Sequence, residues 1–201
     1  MSENIYRTWS EVSVEALTHN LNQFKSILKD GTKIMGVVKA DAYGHGVLEV
    51  ARILADNGVD ALAVAFIDEA IEIRKSGITI PILVLGYTPA EYAGDLVDLD
   101  IIPTVYNFSS AKAVSNAAQR RNKTAKIHVK IDTGMSRIGY CYNDIVNDKT
   151  VDDILDLALM PNIEIEGIYT HFACADELDT TLTFKQFDRF CEVIEKLEKK
   201  G

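Results

Sequence analysis

The sequence lacks the features that mark membrane, secreted and nucleic-acid-binding proteins. No window reaches the roughly 20 apolar residues of a membrane-spanning helix, and the start has no basic region followed by an apolar run. The 30 acidic residues outnumber the 21 Lys and Arg residues, which gives a net charge of -9 and disfavours binding to polyanions. The three cysteines have no C-x-x-C spacing, so we expect free thiols. These deficits predict a cytoplasmic protein that binds neither membrane nor nucleic acid.

The chain instead contains an alternation of short β-rich runs and amphipathic helical stretches. After an opening helix over residues 13–28, the predicted strands cover residues 34–39, 61–66, 80–85, 101–105, 126–131 and 163–170. Strands this apolar, separated by helices, predict an α/β fold with a parallel sheet. An open doubly wound sheet and a (β/α)8 TIM-type barrel both satisfy the pattern. On the barrel reading, residues 1–201 form one incomplete domain with about six βα units.

A lysine stands at the end of the first predicted strand. The segment continues from Lys39 as Ala40-Asp41-Ala42-Tyr43-Gly44-His45-Gly46. Ligands of parallel α/β folds bind at this end of the strands, where a partly desolvated amine can form a bond with an aldehyde cofactor. The glycines and the Tyr43 phenol offer donors for a phosphate group. The segment therefore indicates a pyridoxal phosphate site, although a lysine that only reaches solvent is an equal alternative at this point.

A dinucleotide-binding pattern and an aspartic-protease signature are each incomplete in this chain. Gly44-His45-Gly46 begins the dinucleotide-binding G-x-G-x-x-G pattern, but Glu49 stands in place of the third glycine. Asp132-Thr133-Gly134 matches the aspartic-protease signature in a single copy. Such proteases need two carboxylates that share a proton, and they are all-β. We expect neither activity.

Polar residues also follow the fifth and sixth predicted strands. By strand alternation His128, Lys130 and Asp132 share one face, and Arg137 in the glycine-flanked loop that follows can clamp a carboxylate or a phenolate. His171 ends the sixth strand, and we expect it at the same end of the sheet as the first-strand lysine. The nearby Cys174, Asp176 and Glu177 match no standard metal-ligand spacing, so no metal is expected.

Four segments together resemble the alanine racemase family. They are Thr8 to Val12, Val37 to Gly46, Val129 to Gly139 and Thr170 to Phe172. The resemblance implies an N-terminal (β/α)8 barrel that binds pyridoxal 5'-phosphate. It also implies interconversion of L- and D-alanine through an aldimine, by two-base exchange of the α-proton, which supplies D-alanine for cell-wall peptidoglycan.

The resemblance assigns a role to each candidate residue. Lys39 carries the cofactor as an internal aldimine and acts as one of the two bases. Tyr43 helps to hold the cofactor phosphate, and Arg137 contacts the phenolic oxygen of the cofactor and the carboxylate of the substrate. Lys130 is carbamylated in many members, where it orients that arginine. His171 supports the opposing base.

The family pattern also includes parts that residues 1–201 do not contain. Its members form homodimers, and a C-terminal β-domain contributes the second base to the partner subunit. We therefore expect residues 1–201 to be the partial N-terminal domain of a longer polypeptide, and to be inactive alone.

Three related functions remain as alternatives. A non-catalytic pyridoxal-phosphate-binding homeostasis protein fits the chain length, but the neighbourhood of its lysine differs from residues 39–46. Basic amino-acid decarboxylases share the barrel and the lysine of the first strand, but residues 132–139 favour the racemases. No feature of the sequence separates alanine from serine or from a broad set of amino acids as the substrate.

Overall fold

The computed structural model describes residues 11–145 and 147–200. The chain divides into two compact units, Met1–Ile82 and Leu83–Gly201, here called unit 1 and unit 2. Thr8 to Ser10, which belong to one of the family-like segments, lie outside the described residues.

The described part of unit 1 contains two parallel strands and four helical segments. In chain order they are α1 (Val14–Ile27), β1 (Met35–Val37), α2 (Lys39–Gly44), α3 (Val47–Asp56), β2 (Ala61–Val64) and α4 (Ile67–Lys75). β1 pairs with β2 in parallel, with Met35 opposite Ala61. A Cβ at Gly36 would lie 2.9 Å from Leu54 Cδ1, so the glycine lets α3 approach β1 closely.

Unit 2 contains most of the strand pairing. Its elements are β3 (Ile82–Val84), whose first residue is the last of unit 1, a 3-10 turn (Ala90–Tyr92), α5 (Ala93–Asp98), β4 (Ile102–Val105), α6 (Phe108–Arg120), β5 (Ala125–Asp132), β6 (Tyr140–Cys141), α7 (Asp148–Ala158), β7 (Ile163–Tyr169) and α8 (Thr181–Lys200). β3 pairs with β4, and β5 lies between β4 and β7, all in parallel. β6 pairs with the last two residues of β5.

The core of unit 2 lies on one side of β5. Ile127, Val129 and Ile131 are all 0% exposed. The buried small and branched residues of α6 include Ala111 and Val114, and α6 contacts β4, β5 and β7. Burial of apolar side chains on a strand and a covering helix is the main stabilising term of such a layer.

The six predicted strands and the opening helix are confirmed, with differences of one or two residues at their ends. Four short elements were not predicted, namely α2, the 3-10 turn, α5 and β6. The acidic stretch from Asp95 to Asp100 is not solvated throughout, because α5 buries Leu96 and Val97 within it. Leu96 and Val97 determine which face of α5 is buried, since the carboxylates of the stretch can still reach water.

Some apolar surface remains exposed in unit 2. Phe184 and Phe187 on α8 are 61% and 50% exposed, in line with the unburied helix faces expected for an incomplete barrel. The three cysteines are free, as predicted. Within the described part of the chain, no helix is both long enough and apolar enough to cross a membrane.

Candidate active site

Lys39 begins immediately after the paired part of the first strand. Val38 is 1% exposed, and its N–H donates to Ala63 O at 2.8 Å, so pairing with β2 continues to that residue. Lys39 itself is half-buried, and its Nζ lies 5.9 Å from the centroid of the Tyr43 ring. Among the described residues, Nζ has no hydrogen-bond or ion-pair partner. The amine is therefore available to a ligand.

The backbone after Lys39 forms a left-handed turn. Ala40, Asp41, Ala42 and Tyr43 have φ values of 53°, 55°, 51° and 57°. Residues with a Cβ disfavour this conformation by about 1–2 kcal/mol each. None of the four is glycine, so contacts with neighbouring segments must hold the turn.

Two carboxylates hold the two ends of this turn. Glu69, in the first turn of α4, accepts the Ala40 N–H with Oε1 at 2.6 Å, while its Oε2 accepts the N–H groups of Ala65 and Phe66 at 2.8 Å and 3.0 Å. Asp41 Oδ1 accepts the Val47 N–H at 2.7 Å, at the start of α3. Sequence reasoning missed Glu69, because a glutamate in the first turn of a helix predicts only a helix cap.

The groups in this part of unit 1 fit pyridoxal phosphate. Lys39 supplies an unpaired amine for the aldehyde, and the Tyr43 side chain, 60% exposed, supplies a phenol. A Cβ at Gly44 would meet no atom within 4 Å, so the backbone there is open to an approaching group. His45 Nδ1 lies 3.0 Å from Ala42 O, which places the histidine in the turn.

Lys130 is a buried amine on β5 of unit 2. Only 2% of the residue is exposed, and Nζ donates to Ile131 O at 2.8 Å and lies 5.6 Å from the Tyr169 ring centroid. Burial lowers the pKa of Lys130 to about 8; Asp132 opposes this change and Arg137 adds to it. A part of the Lys130 population is therefore neutral and nucleophilic near pH 8.

Two further polar residues accompany this lysine. The Tyr169 hydroxyl lies 2.8 Å from Thr104 Oγ1, and Thr104 Oγ1 donates to Val84 O at 2.6 Å. Burial raises the pKa of Tyr169, although the Thr104 hydrogen bond acts in the opposite direction. The phenol is thus neutral at physiological pH. Sequence reasoning did not single out either residue.

The loop that carries Arg137 is folded onto the end of β5. Asp132 accepts the N–H groups of Gly134, Ser136 and Arg137 at 3.0, 3.0 and 3.1 Å. Burial raises the pKa of Asp132, but the three N–H donors and Lys130 outweigh that effect, so the net change is downward. Asp132 therefore organises the loop. Arg137 itself is exposed.

His171 follows β7 and is exposed. Gln186, which is 0% exposed on α8, donates to His171 O at 3.0 Å and accepts the Ala173 N–H at 2.9 Å. Arg189, one turn later, donates to Thr133 O at 3.0 Å. These two α8 residues, which sequence reasoning also missed, hold the ends of β5 and β7.

His128 lies away from the Arg137 loop, toward the start of β5. Its Nε2 is 3.3 Å from Glu166 Oε2, and the other oxygen of Glu166 accepts from Lys126 at 2.6 Å. A Cβ at Gly167 would come within 2.9 Å of the His128 ring, so the ring lies flat against that glycine. Among the described residues, no group of three or more His, Cys, Asp or Glu side chains is placed to hold a metal.

One cavity of unit 1 does not include Lys39. It lies beside α3 and is lined by residues that include Asp41, His45, Glu49 and Arg52. We locate the candidate chemistry at Lys39 because an amine beside a phenol has a defined reactivity toward an aldehyde, whereas the lining of this cavity includes three carboxylates, those of Asp41, Glu49 and Asp56, and no lysine.

Residues 12–201 match the family described as alanine racemase, N-terminal domain. The chain belongs to the alanine racemase family. It is 45% identical to alanine racemase 2 of Caldanaerobacter subterraneus subsp. tengcongensis and to alanine racemase of Clostridium tetani, in each case over 100% of this chain and 51% of the relative. The chain thus spans about half the length of the curated alanine racemases it matches.

Solved structures of alanine racemases are also similar. Alanine racemase of Clostridium difficile 630 superimposes with a TM-score of 0.94 at 43% identity, over 99% of this chain and 51% of that chain. A histidine racemase from Leuconostoc mesenteroides has a TM-score of 0.78 at 28% identity, over 88% of this chain and 46% of that chain. The predicted membership of the alanine racemase family is confirmed, and so is the fold class, an α/β fold that forms part of a (β/α)8 barrel.

Proposed function

We propose that the full-length protein is a pyridoxal-phosphate-dependent isomerase that interconverts L- and D-alanine and so supplies D-alanine for peptidoglycan. The observation that carries the proposal is Lys39, a half-buried amine at the end of β1, which has no hydrogen-bond or ion-pair partner among the described residues and whose backbone is held by Glu69. The relatives named alanine racemase support the substrate, and one structurally similar alanine racemase, from Bacillus anthracis, was solved with bound L-Ala-P.

Lys39 and Tyr43 have the first roles in this proposal. Lys39 Nζ would hold the cofactor through its aldehyde group, and the same amine would remove or return the α-proton on one face of the amino acid. The Tyr43 hydroxyl donates a hydrogen bond to the phosphate. Bound pyridoxal phosphate supplies an electron sink that makes the α-proton acidic.

Arg137 and Lys130 have positioning and binding roles. The Arg137 guanidinium binds the phenolic oxygen of the cofactor and the carboxylate of the amino acid, since its planar fork of donors suits anionic oxygen pairs. The Lys130 amine, with its lowered pKa, adds to carbon dioxide and loses a proton, which gives a carbamate that orients Arg137. His171 supports the opposing base.

The wider organisation is proposed from the same relatives. We propose that residues 1–201 belong to the cofactor-binding barrel domain, and that a C-terminal β-domain and a second copy complete the active site in the cytoplasm. The matched relatives are about twice the length of this chain, which supports a further domain.

Trapping the cofactor tests the site directly. The full-length protein and the 201-residue chain are incubated with pyridoxal phosphate, reduced with borohydride and mapped by peptide mass spectrometry. We expect the adduct at Lys39, and its loss in Lys39→Met but not in Lys33→Met. No adduct at Lys39 in either polypeptide would overturn the proposal.

The substrate needs a separate experiment, because the similar Leuconostoc protein is a histidine racemase. The full-length protein is incubated in D2O with L-alanine, L-serine or L-histidine, and deuterium at the α-carbon and the D-isomer are measured. Fastest exchange with alanine is expected. Preference for serine, or equal rates, would favour a serine or broad-specificity racemase. Cofactor binding without exchange would indicate the non-catalytic homeostasis protein.

A further inference from the structure

The peptide bond between Lys39 and Ala40 is held by a side chain from another helix. The Ala40 N–H donates to Glu69 Oε1 at 2.6 Å, across 29 positions of the sequence. Ala40 is also the first left-handed residue of the turn. The Glu69 carboxylate therefore binds the amide that joins Lys39 to its unfavourable left-handed turn.

The same carboxylate is anchored firmly at its other oxygen. Glu69 Oε2 accepts the N–H groups of Ala65 and Phe66, which link the end of β2 to the start of α4. Hydrogen bonds to a carboxylate are stronger than neutral ones, and the start of a helix favours negative charge. Glu69 therefore connects the ends of two paired strands through a single side chain.

The hydrogen bond between the Ala40 N–H and Glu69 does not contribute to capping α4. Capping α4 requires only the N–H groups beside its first turn, and Oε2 already receives two of them. The second oxygen is directed to the residue after Lys39. Asp41 holds the far side of the turn through Val47, so Glu69 is the side-chain anchor on the lysine side.

We propose that Glu69 is a positioning residue for the cofactor-binding lysine, an inference that rests on the proposed function of Lys39. In the bond-forming step, the neutral Nζ attacks the aldehyde carbon, a carbon–nitrogen double bond forms, and the aldehyde oxygen leaves as water. Glu69 does not touch Nζ. It keeps the Lys39 backbone fixed, so that less conformational freedom is lost when the bond forms.

The test compares the same substitution at two positions of α4 in the full-length protein. Glu69→Asp withdraws the carboxylate by about 1.5 Å, one carbon–carbon bond, which keeps a charge near the helix start but breaks the reach to Ala40. Glu72→Asp is the matched control, because Glu72 is exposed and its side chain has no hydrogen-bond or ion-pair partner among the described residues.

Cofactor binding and folding are measured separately. Absorbance titration with pyridoxal phosphate gives the dissociation constant, borohydride trapping gives the fraction of adduct at Lys39, and urea unfolding of the apoprotein gives its stability. We expect Glu69→Asp to weaken binding about tenfold or more, the effect of losing one charged hydrogen bond. A smaller share of its adduct should lie at Lys39, while the apoprotein still unfolds cooperatively, so that binding is compared between folded proteins.

Each other result counts against the inference. Equal affinity in Glu69→Asp and Glu72→Asp would show that the Ala40 bond is irrelevant to cofactor binding. Failure of Glu69→Asp to fold would show that Glu69 supports the whole unit and not the lysine. Absence of an adduct at Lys39 in the wild-type protein would instead overturn the proposed function, and this inference with it.

Discussion

Gly139 lies directly against the backbone of Asp132. A Cβ at position 139 would come within 2.6 Å of the Asp132 amide nitrogen, and Gly139 has a φ of +133°, which other residues rarely adopt. The contact closes the loop that carries Arg137, because the next two residues pair with Ile131 and Asp132. The loop therefore depends on a glycine at its end and a carboxylate at its start.

Gly139→Ala should destabilise the full-length protein by about 2–4 kcal/mol, since both the conformation and the contact become unfavourable. Urea unfolding measures the change. The control is Gly77→Ala, at a φ of +91° with nothing within 4 Å of the added Cβ, which should cost only about 1 kcal/mol. Equal losses in the two variants would show that the close approach to Asp132 has no effect.

Asp132→Asn should cost about 2 kcal/mol at neutral pH, because three N–H groups lose a charged acceptor. The pKa of Asp132 is lowered in the folded state, so its contribution is complete above the unfolded pKa near 4 and is lost as the pH falls through the folded value. The difference in the free energy of unfolding between wild type and variant should become smaller below about pH 4. Asp188→Asn, at an exposed position of α8, controls for the loss of charge, and a gap independent of pH would contradict the prediction.

Lys130→Met should remove a rise of stability with pH in the alkaline range. Burial lowers the pKa of Lys130 from 10.5 to about 8. Between these two pH values, Lys130 is protonated in the unfolded chain but not in the folded chain. Wild-type stability therefore rises with pH across that range, and the variant should lack this rise of about 3 kcal/mol. Urea unfolding from pH 7 to 10.5 tests it, and parallel curves for the two proteins would refute it.

Gln186→Leu should destabilise the full-length protein by about 3 kcal/mol, because the carbonyl of His171 and the N–H of Ala173 lose their partner on α8. The same substitution at Gln119, an exposed position of α6, should change stability by less than about 0.5 kcal/mol. Unfolding midpoints of the two variants give the comparison. A loss at Gln119 as large as that at Gln186 would show that the buried hydrogen bonds are not the cause.

Much of the fold followed from local patterns. Alternating β-rich runs and amphipathic helices predicted the parallel strands, because burial on both faces and crossover helices leave a periodic trace in the chain. The lysine segment and the Asp132 to Gly139 segment indicated the family from the order of their residues. The roles of Lys39, Tyr43, Lys130, Arg137 and His171 stay predictions, which the trapping and exchange experiments test.

The sequence by itself determined the α/β alternation, the family and the place of Lys39 at a strand end, since these depend on residue type and spacing along the chain. Only the tertiary structure decided how that lysine is held. Its turn is left-handed although local preferences oppose it, because Glu69, 29 positions away, binds the Ala40 N–H. The burial that lowers the pKa of Lys130 likewise depends on the elements packed around β5, and periodicity along one strand does not report which neighbours exclude water.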